Sequence, residues 1–145
     1  MGLQLALQNM HSRQKHRPLY KTAVEKKILQ DQVKLFILCN PHNPVGRVWS
    51  DDELARMGDI CVQNGVIVVS DEIHMDFVYP GKKHLVFSNL KPECSQNTIT
   101  CTAPTKTFNL AGLQISNIFI TNREIRKAFK REIEKSESKK AGIAN

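Results

Sequence analysis

Short apolar runs alternate with polar segments along the middle of the chain. The first run, Val33–Cys39, ends at the turn-forming segment Asn40–Gly46. A second run, Val66–Ser70, is rich in β-branched residues and leads directly into Asp71. Both runs predict strands, and the continuous second run indicates a strand that is covered on both faces.

A helix is predicted between these two strands. Ser50 and Glu53 have the spacing of a capping box, and Asn64-Gly65 provides a stop signal. Three apolar residues lie between them at helical spacing: Leu54, Met57 and Cys61. The pattern predicts a helix over about 51–63, and the order strand, helix, strand predicts a parallel pair with a right-handed crossover.

Two further strands and a second long helix complete the predicted fold. Strands are predicted at Thr98–Thr102 and Gln114–Ile120. Thr121 or Asn122 then caps a charged helix that reaches about Lys135. The predicted fold class is α/β, with a mostly parallel sheet and helices packed on it.

A chain of 145 residues predicts a single domain. Residues 1–32 form a weakly patterned basic segment in which only Val24–Leu29 suggests a short helix. Residues 33–135 carry the sheet and helix pattern, and 136–145 are predicted to form a C-terminal tail.

The net charge of +7 is concentrated at the two ends of the chain. Residues 1–34 hold seven Lys and Arg against two acidic residues, and residues 121–140 hold eight against four. A basic interaction protein that uses its two ends is therefore one hypothesis, although only charge favours it. Nucleic-acid binding is not expected, because no basic motif with interleaved aromatic residues accompanies the charge.

The cysteine and histidine residues predict neither disulfides nor a metal site. The four cysteines contain no C-x-x-C pair and fit a reduced, cytoplasmic setting. The five histidines lack the paired spacing of metal ligands. No apolar run approaches the length of a membrane span, so a membrane anchor is not expected either.

Three polar residues follow three predicted strands. Asn43 follows the first, Asp71 the second and Lys106 the third. Open α/β sheets bind ligands outside the carboxyl ends of their parallel strands, so an amide, a carboxylate and an amine are expected at one edge. Each residue alone also has an ordinary explanation, as a turn asparagine, a capping aspartate and a surface lysine.

Three motifs contain these residues, and they carry a family resemblance. They are NPHNPVGRVW at Asn40–Trp49, SDEIH at Ser70–His74 and APTKTFNLAG at Ala103–Gly112. In this order and spacing they resemble the class I/II aminotransferases, which are pyridoxal-phosphate enzymes of fold type I. The similarity is greatest to the cystathionine β-lyase and cysteine desulfhydrase branch, and it covers roughly Val33–Ile133 of what looks like part of the large domain.

The resemblance implies a role for each of the three strand-end residues. Lys106 would form the Schiff base with the aldehyde of pyridoxal 5'-phosphate, and its freed amine would remove the α-proton of the substrate. Asp71 would pair with the pyridine nitrogen and keep it protonated. Asn43 would donate a hydrogen bond to the phenolic oxygen of the cofactor.

Four further positions have weaker implied roles. His74 stands where many relatives carry a tyrosine, and either ring contact or simple packing is open. Thr102 and Thr105 flank the lysine, and Thr105 is the expected phosphate contact. Gln114 stands where many aminotransferases place an arginine that grips the phosphate, so phosphate affinity would come partly from elsewhere.

Two functions are consistent with the resemblance. The first is a pyridoxal-phosphate enzyme that acts on amino acids. It would be either a carbon-sulfur β-lyase with a cysteine-like or cystathionine-like substrate, or an aminotransferase. The resemblance also implies a homodimer, since complete relatives are homodimers. The second is a truncated, catalytically inactive relative, because the family's glycine-containing phosphate loop and substrate-carboxylate arginine are not recognisable in this chain.

Overall fold

The structure, a computed structural model, describes residues 24–28 and 32–141, with side chains to residue 137. Its centre is a four-stranded sheet in the order β1-β2-β3-β4. The strands are β1 (Leu35–Cys39), β2 (Ile67–Asp71), β3 (Thr98–Thr102) and β4 (Asn117–Ile120). The first three are parallel, whereas β4 runs antiparallel to β3. The predicted α/β fold with a mostly parallel sheet is confirmed.

Four helices follow β1 in the described part of the chain. They are α1 (Asp51–Gln63), α2 (Pro92–Gln96), α3 (Pro104–Thr107) and α4 (Arg123–Ala141). Two 3₁₀ turns lie at Phe87–Asn89 and Ala111–Leu113. Residues 24–28 are also helical, as predicted, while Leu29 and most of the remaining 1–32 segment lie outside the described residues.

Helix α1 has the predicted start and stop. The Ser50 hydroxyl accepts a hydrogen bond from the Glu53 amide, and the Glu53 carboxylate accepts one from the Ser50 amide, which completes the capping box. At the other end, Gly65 has φ +62°, a conformation in which a side chain would be strained. The bounds 51–63 were therefore predicted correctly.

The sheet is asymmetric, and here the expectation for the second strand was wrong. Buried and half-buried residues alternate strictly along β1 and β2. The buried set faces a core that also contains α1 and α2, whereas the other set remains half-buried. The apolar run Val66–Ser70 suggested cover on both faces, but among the described residues only the side chains on one face of β2 are fully buried, and this is the covered face.

The core lies on the covered face. Its members come from β1, β2, α1 and α2 and from the segments that connect them, and they include Phe36, Leu38, Trp49, Leu54, Met57, Cys61, Val66, Val68, Phe87 and Cys94. Gly58 lets α1 approach α2 closely, because a Cβ there would lie 2.8 Å from the Cys94 sulfur. This packing fixes β1 and β2 relative to each other.

The C-terminal third differs from the prediction at two boundaries. Strand β4 begins at Asn117 rather than Gln114, because Gln114 has φ 50° and ends the preceding 3₁₀ turn in a left-handed conformation. Asn122 caps α4 as expected, accepting hydrogen bonds from the amides of Glu124 and Ile125. The helix continues to Ala141, beyond the predicted end at Lys135.

Within the described ranges, no helix is both long enough and apolar enough to cross a membrane.

The buried thiols allow a first test of this fold. Burial raises the pKa of Cys61 to about 12, with a contribution from Cys94, and burial also raises the pKa of Cys94. Because the thiolate is the reactive form, iodoacetamide should leave both cysteines unmodified in the folded chain near neutral pH. Mass spectrometry of peptides from native and urea-unfolded protein measures this. Equal alkylation rates at Cys61 in the two states would contradict the packing of α1.

Candidate functional site at the carboxyl edge of the sheet

The carboxyl ends of β1, β2 and β3 lie in one line. Cys39 is the register partner of Asp71, and Asp71 is the register partner of Cys101. Because the three strands are parallel, the segments that follow them leave the sheet at the same edge. Asn43 follows β1, Asp71 ends β2, and Lys106 lies in α3 directly after β3.

Asn43 lies at the tip of a closed loop, which we call the 40–49 loop. The His42 amide donates to the Arg47 carbonyl at 2.8 Å, and the Gly46 amide donates to the His42 carbonyl at 2.7 Å. Gly46 has φ 70°, which a tight turn requires and glycine tolerates. The Asn43 side chain is exposed at the tip, so its amide is available to a ligand.

Arg47 fastens this loop to α1. Its guanidinium lies 4.2 Å from the centroid of the Trp49 ring, a cation-π contact. Its Nη2 donates to Glu53 Oε2 at 2.6 Å, and Glu53 belongs to the capping box of α1. The start of the helix and the shape of the loop are thus fixed together.

Asp71 is half-buried on the face of the sheet opposite the core, which we call the open face. Its Oδ1 accepts a hydrogen bond from the Ile73 amide at 3.3 Å, which holds the side chain over the turn. No described residue donates to its Oδ2, so one carboxylate oxygen is available to a ligand. His74, three residues after Asp71, is half-buried and meets the edge of the Phe77 ring with the ring centroids 6.0 Å apart.

Lys106 is exposed in the single turn of α3. Among the described residues, none forms a hydrogen bond or ion pair with its amine. Thr105 beside it is half-buried. The Thr107 hydroxyl donates to Asp76 Oδ2 at 2.5 Å, and this bond ties α3 to the segment that follows β2.

One cavity of about 500 Å³ lies at this edge. The 40–49 loop forms one wall, including Asn43, and the segment from His74 to Tyr79 forms the other. The structure thus brings Asn43 and His74 to the same cavity. Asp71, Thr105 and Lys106 do not line it and lie elsewhere along the carboxyl edge, and Gln114 is exposed in the turn before β4.

Sequence reasoning missed a buried polar cluster behind the site. Glu72, with 0% of its surface exposed, accepts hydrogen bonds at Oε1 from the Ser70 hydroxyl at 2.8 Å and the Phe87 amide at 3.0 Å. Its Oε2 lies 2.9 Å from Nε2 of His84. The available signal was the alternation of β2, which assigns Val68, Ser70 and therefore Glu72 to the covered face.

The two cysteines beside Asp71 are not expected to act as nucleophiles. Burial raises the pKa of Cys39 and outweighs the lowering by a hydrogen bond from the Asn43 backbone, and the Asp71 carboxylate makes a smaller raising contribution. Burial likewise raises the pKa of Cys101, with Asp71 and Glu72 contributing. Both thiols stay protonated near neutral pH. Nowhere in the described ranges do three or more His, Cys, Asp or Glu residues form a group that could hold a metal ion.

Comparison with known proteins shows similarity to one enzyme family. The sequence model of the family "Aminotransferase class I and II" matches residues 6–138, a longer stretch than the 33–133 of the motif resemblance. Cystathionine beta-lyase PatB of Bacillus subtilis is 47% identical over 113 residues, which is 78% of this chain and 29% of that protein.

Two solved structures show the same likeness in three dimensions. Cystalysin from Treponema denticola, which contains a pyridoxal 5'-phosphate cofactor, has a TM-score of 0.74 at 44% identity. The C-S lyase from Staphylococcus hominis, also bound to pyridoxal phosphate, has a TM-score of 0.72 at 42% identity. Each alignment covers 77% of this chain and 28% of the other. The chain thus spans less than a third of the length of the relatives it matches.

The Arg47–Glu53 pair predicts a pH dependence of stability. Burial by itself raises the pKa of Glu53, but hydrogen bonds from Ser50 and the ion pair with Arg47 outweigh it, so the net pKa is lowered. A carboxyl group whose pKa is lower in the folded state stabilises the fold above its unfolded-state pKa. This stabilisation is lost as the pH falls through the folded-state pKa. Glu53→Gln should therefore lower the free energy of unfolding by roughly 0.5–1 kcal/mol near neutral pH and leave it unchanged in acid.

Urea unfolding of Glu53→Gln and wild type, near neutral pH and in acid, measures the difference in the free energy of unfolding. Asp52→Asn, which removes an exposed carboxylate from the same helical turn, is the control for charge at the helix N-terminus. A Glu53→Gln cost that stays constant on acidification would show that the ion pair is not formed.

Proposed function

The chain belongs to the class I and II aminotransferase family, and we propose that it binds pyridoxal 5'-phosphate through Lys106, Asp71 and Asn43 as the core of a carbon-sulfur β-lyase. The observation that carries the proposal is that three parallel strands end in register at one edge and are followed there by an amine, a carboxylate and an amide. The cytoplasm remains the expected location.

The chemistry of these groups fits the cofactor. The Lys106 amine is exposed and has no partner among the residues that the structure describes. One oxygen of Asp71 is likewise unpaired within the described part, and the Asn43 amide is exposed. These are a nucleophilic amine for an aldehyde, an acceptor for a ring N–H, and a donor for a phenolic oxygen.

Lys106 and Asp71 divide the proton chemistry between them. When bound, pyridoxal phosphate supplies an aldehyde that captures amines and a ring that takes up the electron pair left on the substrate α-carbon. Lys106 holds the cofactor and, once its amine is free, removes the α-proton. The negative charge of Asp71 keeps a proton on the ring nitrogen, which strengthens the electron demand of the ring.

The remaining positions would orient the cofactor. Thr105 offers a hydroxyl and His74 a ring nitrogen beside the Asn43 amide. Gln114 provides a neutral amide where many aminotransferases have a guanidinium, so it would bind the cofactor phosphate less strongly than an arginine. Phosphate binding then depends on Thr105 and on donors outside these motifs.

We propose an amino acid with a sulfur on its β-carbon as substrate, cysteine-like or cystathionine-like. The support is the similarity to a cystathionine beta-lyase and to a C-S lyase. Loss of the α-proton and of the sulfur as a thiol, with the uptake of one water, would yield pyruvate and ammonia. Transamination uses the same lysine and carboxylate and is the alternative reaction.

A second candidate is a chain that keeps the motifs without a complete active site. Large apolar side chains in the segment after Lys106 are exposed, with Phe108 at 66% and Leu113 at 58% of their surface. The alignment also covers only 29% of the B. subtilis lyase. Surfaces of this kind are normally covered in a working enzyme, so cofactor binding by this chain decides between the candidates.

Cofactor capture is the first test of the proposal. The chain is mixed with stoichiometric pyridoxal phosphate, reduced with borohydride and digested, and mass spectrometry locates the added pyridoxyl group. We expect label on Lys106 in wild type, loss of label in Lys106→Ala, and retention in Lys130→Ala, which removes an exposed lysine of α4. Label spread equally over surface lysines would support the second candidate.

Replacement of Asp71 tests the ring contact. Asp71→Asn should retain the cofactor but slow exchange of the substrate α-proton by about 100-fold, because a neutral amide cannot hold the ring nitrogen protonated. Nuclear magnetic resonance of the amino acid in deuterium oxide measures the exchange. Asp59→Asn, which changes an exposed carboxylate of α1, is the control. Unchanged exchange in Asp71→Asn would remove Asp71 from this role.

A further inference from the structure

The two acidic residues at the end of β2 lie in opposite environments. Asp71 is half-buried on the open face, while Glu72 is fully buried, with three hydrogen-bond contacts. Successive residues of a strand point to opposite faces, so adjacent carboxyl groups serve different surroundings. Glu72 cannot reach the site, so it can act on the site only through the residues that it contacts.

Those partners close a ring around the end of β2. Nε2 of His84 lies 2.9 Å from Glu72 Oε2, and Nδ1 of His84 lies 3.5 Å from Asn40 Nδ2. The backbone N–H of Asn40 donates to the Asp71 carbonyl at 3.0 Å. Since Asp71 and Glu72 are covalent neighbours, the chain of contacts returns to its start.

The ring has a single hydrogen-bond direction. The Asn40 side chain accepts from the Trp49 amide at Oδ1 and donates to the Leu85 carbonyl at Nδ2, which fixes its orientation. Its Nδ2 therefore donates to Nδ1 of His84, so Nε2 carries the hydrogen and donates to Glu72. Every polar group of the ring is satisfied only in this arrangement.

We propose that Glu72 and His84 are positioning residues that hold the 40–49 loop, and with it Asn43, in place relative to Asp71. Asn40 and Trp49 are the two ends of that loop, and the hydrogen bond from the Trp49 amide to Asn40 Oδ1 joins them. The functional importance of this placement rests on the proposed cofactor site. The geometry itself is independent of any ligand.

Glu72→Gln is the sharpest change, because it keeps size and shape but replaces one acceptor oxygen by a donor NH₂. If the new NH₂ faces His84, Nε2 must accept, Nδ1 must carry the hydrogen, and that hydrogen then opposes the Asn40 NH₂. If the NH₂ instead faces the Phe87 amide and the Ser70 hydroxyl, two donors meet there. The first orientation breaks the contact between His84 and Asn40 directly. The second leaves the Phe87 amide without its acceptor, which loosens the segment that carries His84 and, through it, the hold on Asn40.

The single tryptophan of the chain, Trp49, reports on the loop without any cofactor. It is 5% exposed, and its Nε1 donates to the Cys39 carbonyl at 3.0 Å. In the cofactor-free chain, Glu72→Gln should raise the acrylamide quenching constant of Trp49 by about twofold or more, through local opening. His84→Gln, which can still donate to Glu72 but offers no counterpart to Nδ1, should raise it less.

Thr98→Val is the matched control. Thr98 is buried and donates to the Cys94 carbonyl at 2.6 Å, at the opposite end of β3. The change removes one buried hydrogen bond and destabilises the fold without touching the ring. Quenching should remain at the wild-type value in this variant, and Thr98→Val should also leave the dissociation constant of pyridoxal phosphate unchanged, whereas Glu72→Gln should raise it about tenfold.

The two readouts separate the two ideas. Failure of the wild-type chain to bind pyridoxal phosphate would count against the proposed function, and Trp49 quenching would still decide the role of the ring. The inference is overturned if quenching is unchanged in both Glu72→Gln and His84→Gln. It is equally overturned if Thr98→Val raises quenching, or weakens cofactor binding, as much as Glu72→Gln does.

Discussion

The buried carboxyl group of Glu72 is the constraint on which the edge of the sheet depends. A carboxyl group removed from water must find hydrogen-bond partners inside the protein. Ser70, Phe87 and His84 provide them, and this fixes where the chain returns to the core after leaving β2. His84 in turn holds Asn40, so one buried group determines the relative positions of two of the three segments that leave this edge.

Much of this arrangement followed from local patterns in the sequence. The capping box at Ser50 and the stop at Gly65 defined α1, because both signals act through the backbone of adjacent residues. With the helix placed, the flanking apolar runs had to form parallel strands, and parallel strands bring their carboxyl ends together. The position of Asn43, Asp71 and Lys106 at one edge of the sheet was therefore predictable from the sequence alone.

What could not be predicted depended on distant contacts or on single dihedral angles. Glu72 and His84 are twelve residues apart with no periodic relation, so their pairing is visible only in the folded chain. Gln114 looks suitable for a strand, yet its left-handed conformation delays β4 to Asn117. The prediction from Val66–Ser70 that both faces of this strand are covered was wrong, because an apolar composition does not specify how many layers pack against a strand.

The alternation along β2 separates scaffold from chemistry. Ser70 and Glu72 face the core and fix geometry, while Asp71 between them faces the open side and carries the available carboxylate oxygen. A slip of one residue would exchange the two acids, burying Asp71 and moving Glu72 to the edge. Glu72 would then lose both Phe87 and His84, so the hydrogen bonds that place the 40–49 loop also favour the register that presents Asp71.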